Sequence, residues 1–101
     1  LFEGKGFLIK ELFVKPKGIL SLQKHHHRSE HWLVTQGTPK ITLNKDSFSK
    51  KQNDHIFIPL EAVHRIENPG NKPVKIIEVQ VGSILKESDI VRFKDAYGRV
   101  K

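Results

Sequence analysis

The sequence predicts an all-β domain, an antiparallel barrel or jelly roll finished by one short C-terminal helix. Three observations carry this expectation. Runs of three to nine strand-forming residues recur along the 101 residues. Turn residues punctuate them every ~8–12 residues, the spacing of a sandwich or barrel. Helical periodicity stays weak until the tail.

Taken in order, Phe7 to Val14 is rich in β-branched and aromatic residues and closes at Lys15-Pro16-Lys17-Gly18, a turn sequence. Strands are then expected over Ile19 to His27, Trp32 to Gln36, Ile41 to Leu43, His55 to Ile58, Val63 to Glu67 and Val74 to Val81. The breaks fall at Gly37-Thr38-Pro39, Asn44-Lys45-Asp46, Gln52-Asn53-Asp54, Pro59 and Asn68-Pro69-Gly70-Asn71. Leu85 to Phe93 is expected as the helix, with Ser88 or Asp89 as its cap.

Composition narrows the chemistry. The length fits one domain, residues 1–101, with one small core, and excludes a two-domain enzyme within this chain. With no cysteine there is no disulfide framework, thiolate metal site or cysteine nucleophile, so a metal must sit on nitrogen and oxygen. Methionine is absent too, so Leu1 is not the expected native start. No run approaches the ~20 apolar residues of a membrane span and no signal-peptide pattern opens the chain, which makes a cytoplasmic protein the default. The net charge of +7 suits an anionic partner. Apart from Lys50-Lys51 the lysines are scattered, and no nucleic-acid-binding signature accompanies them, so nucleic acid is not expected.

The stretch Gly18 to Trp32 holds four of the six histidines, His25, His26, His27 and His31, with Glu30 among them. A purification tag would be a homogeneous terminal run, and a plain solvated loop would not need this residue mix. Strand alternation puts Ile19, Ser21, Gln23, His25 and His27 on one face, which turns polar toward its end as a pocket wall would. The opposite face offers Lys24, whose ammonium has no lone pair. Gln23 and His25, spaced i, i+2, can converge on one ion, Glu30 can return from the next strand, and His64 begins a strand after Pro59. Gln23, His25, Glu30 and His64 together supply two imidazoles and two oxygens, a set that suits zinc and, less selectively, cobalt, manganese or iron. His55 has no partner in this scheme and is expected to be structural or exposed.

These stretches resemble the two motifs of the cupin superfamily. Gly18, the His25/His27 pair, Glu30 and Gly37 follow the first; Pro59, His64 and Asn68 follow the second, with Glu61 and Asn53 standing where glycines are usual. Leu20 to Trp32, with Ile58-Pro59-Leu60, His64 to Gly70, Ile77 to Gly82 and Asp89 to Arg99, is similar to the signature of type II phosphomannose isomerases. The resemblance implies a cupin barrel at the C-terminus of a bifunctional protein whose N-terminal part is a mannose-1-phosphate guanylyltransferase, serving GDP-mannose and polysaccharide precursor synthesis.

The resemblance implies the same four metal ligands and draws in Arg28, His31 and Arg99. Lys24 departs from the apolar residue usual there. The implied reaction interconverts mannose 6-phosphate and fructose 6-phosphate by moving a proton between C2 and C1 through an ene-diolate. His31 is the first candidate base, with His27 or Glu61 behind it. Arg28 and Arg99 are the expected phosphate clamps, His27 a further substrate contact, and Trp32 either barrel wall or sugar platform. A domain that binds metal and sugar phosphate without turnover, supporting the attached transferase, is the alternative; an iron dioxygenase explains neither the arginines nor the tail. Open sheet edges suggest a homodimer.

Overall fold

The structure, a computed structural model, describes residues 2–83 and 90–93. Among these residues there are strands and turns but no helix. The strands are β1 (Phe2–Gly4), β2 (Phe7–Val14), β3 (Leu22–His25), β4 (Arg28–Gln36), β5 (Lys40–Leu43), β6 (Asp46–Ser49), β7 (His55–Ile58), β8 (His64–Glu67), β9 (Val74–Gly82) and β10 (Ile90–Phe93). They form two five-stranded antiparallel sheets, in the orders β1-β2-β9-β4-β7 and β10-β3-β8-β5-β6.

Period-two alternation explains the layering. On β4, Arg28, Glu30, Trp32 and Val34 are buried while Leu33 is exposed; on β9, Val74, Ile76, Glu78 and Gln80 are buried. Trp32, Val34, Ile56, Ile58, Val74 and Ile76 from the first sheet meet Ile41 and Ile66 from the second to make the core. One half of the inner space is thus apolar, and the other, toward Arg28, Glu30, Glu78 and Gln80, is polar.

Two backbone devices fix the apolar end of the barrel, opposite the polar half. Gly37, at φ +87°, lies where a Cβ would stand 2.7 Å from the Pro73 carbonyl oxygen, so the loop after β4 requires glycine. Asn68, buried after β8, donates to the carbonyls of Val14 and Lys72 at 3.0 and 2.7 Å and accepts from Gly70 N at 3.1 Å. It thereby closes the β8–β9 loop on itself and ties it to the end of β2.

The tail departs from expectation. Ile90–Phe93, the end of the expected helix, is a strand, pairing antiparallel with β3 from Ile90 opposite His25 to Phe93 opposite Leu22. Ile-Val-Arg-Phe favours a pleated conformation, and β3 would otherwise present an unpaired edge; ladder hydrogen bonds outweigh weak helical periodicity. Ser88 and Asp89, the expected caps, lie outside the described residues, as does Arg99.

Candidate metal centre

Three elements deliver the cluster. β3 ends on His25, β4 returns with Glu30 two residues into its run, and β8 opens on His64, which pairs in register with Gln23 on β3. His25, Glu30 and His64 are all buried, and one ligand atom from each lies within 4.8 Å of the others. His25 Nε2 stands 3.1 Å from Glu30 Oε2, and the His25 and His64 ring centroids are 5.1 Å apart.

The surroundings prepare these atoms. His64 Nδ1 donates to the Ala62 carbonyl at 3.0 Å, which leaves Nε2 with its lone pair. Burial pushes the His64 pKa down, outweighing the pull of Glu30, so the ring is neutral and able to ligate. Trp32 Nε1 donates to Glu30 Oε1 at 2.8 Å and Arg28 Nε to Oε2 at 3.1 Å. Burial alone would raise the Glu30 pKa, but hydrogen bonds from His25 and Glu78 and the nearby imidazoles hold it well below the usual carboxylate range. His25 Nδ1 is buried without a hydrogen-bond partner, and Nε2 is directed at Glu30 and at Arg28 Nη2, 3.2 Å away. Two imidazoles and an ionised carboxylate aimed at one point fit a divalent cation.

A pocket of about 220 Å³ opens beside the cluster, lined by Gln23, Arg28, Glu30, Trp32, His64 and Glu78 among others. Gln23 Nε2 donates to Ser21 Oγ at 3.1 Å, leaving its carbonyl oxygen for a cation. All four expected ligands are therefore in one neighbourhood. Arg28 joins them, but not as an open clamp: it is 4% exposed and both of its hydrogen bonds run to Glu30 and His25.

His31 and His27 do not join them. Glu30 faces inward, so His31 on the same strand faces outward, its Nδ1 3.2 Å from His55 Nε2 and its ring centroid 4.8 Å from that of Phe57. A base beside the sugar carbons in this pocket therefore cannot be His31. His27 is exposed in the bend between β3 and β4, where the alternation that would have turned it inward is broken. Glu61 also lies outside the pocket. It adopts φ +67°, its amide donates to the His25 carbonyl at 2.9 Å, and its carboxylate holds His26 Nδ1 at 2.9 Å and Lys24 Nζ at 3.6 Å. Glu61 stands where the cupin resemblance implies a glycine, and its positive φ is the conformation that glycine favours.

Sequence reasoning missed Glu78, Gln80 and Lys10. Gln80 Nε2 donates to Glu78 Oε1 at 2.6 Å, and Lys10 Nζ lies 3.8 Å from the same oxygen. Burial, reinforced by the hydrogen bond and charge of Glu30, pushes the Glu78 pKa up to about 8 despite Lys10. Their signal was available: Val74, Ile76, Glu78 and Gln80 form a strand face that turns from apolar to polar, as the β3 face does.

Comparison with solved structures places this architecture among the cupins. A double-stranded β-helix protein from Klebsiella pneumoniae superposes with TM-score 0.82 at 16% identity, covering 94% of this chain and 81% of that one. The Cnp3 cupin domain of Schizosaccharomyces pombe gives 0.79 at 18% identity, covering 82% and 58%. The sequence fixes the family more closely: residues 1–95 match the family described as mannose-6-phosphate isomerase C-terminal, and the chain belongs to it. The alginate biosynthesis protein AlgA of Pseudomonas fluorescens is 51% identical over 96 residues, covering 95% of this chain and 20% of AlgA. The Escherichia coli mannose-1-phosphate guanylyltransferase is 50% identical over 97 residues, covering 96% and 20%. The chain thus spans about a fifth of the length of these relatives.

Proposed function

We propose that this cupin is the isomerase domain of a bifunctional enzyme, interconverting mannose 6-phosphate and fructose 6-phosphate with a divalent metal. A mannose-1-phosphate guanylyltransferase precedes it, and the product feeds GDP-mannose and polysaccharide synthesis. The observation that carries this reading is the buried His25–Glu30–His64 cluster on the wall of a sugar-sized pocket. Zinc is the first choice of metal, since two imidazoles, a carboxylate and the Gln23 oxygen match its small coordination number.

His25, Glu30 and His64 would hold the ion, with Gln23 beside them. When bound, the metal supplies positive charge where negative charge builds on two adjacent sugar oxygens during proton transfer. Arg28 and Trp32 fix the Glu30 carboxylate so that it need not reorganise. Glu78 is the pocket group suited to carry the proton between C2 and C1: burial brings its carboxyl into the range of an acid–base catalyst at neutral pH. Among the described residues no helix is long and apolar enough to cross a membrane, which accords with a cytoplasmic site of action.

A second reading, metal and sugar-phosphate binding without turnover in support of the transferase, draws on one observation. Arg28 already supplies an internal cation to Glu30 and contacts His25. Purified protein stripped with EDTA and reloaded with zinc or cobalt should convert mannose 6-phosphate to fructose 6-phosphate. Metal binding without conversion leaves the second reading, and no metal binding removes both.

The domain pairs with a second copy through the outer face of the first sheet. Phe13, Leu33, Phe57 and Val81 are exposed there at 57%, 42%, 45% and 43%. Five strands of up to nine residues give a face of roughly 650 Å², close to the ~800 Å² per partner of a stable interface. Glu11 and Lys75 are its opposed charges, so a protein of net charge +7 meets its copy on a near-neutral patch.

A further inference from the structure

We propose that Lys10 selects a phosphorylated sugar, its ammonium receiving the phosphate monoester at the mouth of the pocket. The inference rests on the isomerase reading above and names the residue that recognises the substrate's charged end.

Lys10 stands on the inward face of β2, in a series with Leu12, which packs on the core, and Val14, which is buried. A lysine in that series sets an ammonium at the mouth of a polar cavity, where an arriving anion can meet it. Its ion-pair partner among the described residues, Glu78, is 3.8 Å away. A charge-assisted hydrogen bond would be ~2.7–2.9 Å. The Lys10 side chain remains 34% exposed, so it reaches both the pocket and solvent.

The other cations lining the pocket are placed differently. Arg28 is 4% exposed and committed to Glu30 and His25. Arg65, on β8, has its side chain 14% exposed with Nε 3.7 Å from Glu67. Neither can swing toward an arriving dianion as a flexible lysine can, and an ammonium on a four-carbon stem binds phosphate as a point charge.

The span also fits. Lys10 pairs with Glu78 in register, and Trp32, whose indole holds Glu30, pairs with Glu78 on the opposite side. One carboxyl group therefore separates the ammonium from the cluster. C2 and phosphorus of an open-chain hexose 6-phosphate are six bonds apart, roughly 7 Å when extended. A single molecule can set its C1–C2 end at the cluster and its phosphate at Lys10.

The test compares wild type, Lys10→Met and Lys10→Arg, each zinc-loaded, by calorimetry with mannose 6-phosphate, mannose and inorganic phosphate, and by steady-state turnover. Wild type should bind mannose 6-phosphate at least tenfold more tightly than mannose. Lys10→Met should lose that ratio, with KM raised at least tenfold and kcat within about threefold. Lys10→Arg should retain most of the ratio, and zinc affinity should be equal in all three. Because the readout is a ratio of affinities in one preparation, partial misfolding does not imitate it. If wild type discriminates and Lys10→Met still does so within twofold, Lys10 is not the anchor, and the isomerase reading stands. If wild type itself fails to discriminate or bind, the isomerase reading fails and takes the inference with it.

Discussion

Replacing Glu30 by glutamine keeps the shape of the side chain and removes its charge. In the fold Glu30 is 1% exposed, accepts from Arg28 Nε and Trp32 Nε1, and faces His25 Nε2 at 3.1 Å. The amide leaves the Arg28 guanidinium, itself buried, without its counter-charge. Stranding one member of a buried ion pair costs about 3–5 kcal/mol. We take about 3, because Glu78 ionises more readily once Glu30 is neutral and returns part of the negative charge. At about 4 °C per kcal/mol for a domain of this size, melting should fall by about 12 °C or more. Far-UV circular dichroism in EDTA measures this step, and zinc calorimetry should show affinity reduced by at least the ~10–100-fold that loss of an outer partner alone causes. The double variant Arg28→Met with Glu30→Gln removes both charges. It should melt within about 4 °C of wild type, since removing both members of a buried pair leaves no charge stranded, and it should still fail to bind zinc. An unshifted melting point for Glu30→Gln would refute the ion-pair account, and wild-type zinc affinity in the double variant would refute Glu30 as a ligand.

Three further outcomes follow from the geometry. His31→Ala, on the outer face with His55 and Phe57, should leave zinc affinity within twofold of wild type; a tenfold loss by calorimetry would mean the strand register is wrong. Glu78 should make the metal-free domain less stable as pH rises. Below pH 4.5 both states carry its proton; between 4.5 and about 8 only the folded state does, so stability falls across that window and levels off above it. Urea melts from pH 5 to 9 should show that slope, offset in part by His64, whose lowered pKa makes stability rise as pH approaches the ordinary histidine value, and Glu78→Gln should abolish the fall. Phe57→Lys puts a charge on the β7 side of the apolar face and should shift sedimentation from dimer to monomer with zinc affinity unchanged; a dimer that persists would place the interface elsewhere.

The fold was legible where strands are long and one-sided. β2 and β9 were read nearly to their ends because alternation over eight or nine residues leaves one consistent choice of face. Phe2–Gly4 and Asp46–Ser49 escaped because three or four residues, three of them polar in the second case, carry no periodicity. β4 begins at Arg28, not Trp32, since pairing with Gly82 and Val81 on β9 recruits Arg28 and Ser29 whatever their own preference. The tail strand depends likewise on the open edge of β3, a fact of topology that local sequence does not contain.

The ligands were legible for the same reason that the proposed base was not. Strand parity couples Gln23 to His25 and Glu30 to Trp32, and the same parity excludes His31 from the side that Glu30 occupies. It also puts Arg28 with Glu30, which turns a guanidinium expected at the phosphate into the support of a metal ligand. A phosphate at this pocket must then be met by a cation that satisfies two conditions at once: inward parity, and enough exposure to reach an incoming anion. Among the described residues lining the pocket, Arg28 meets the first alone. Lys10 meets both, at the register position where β2 faces Glu78.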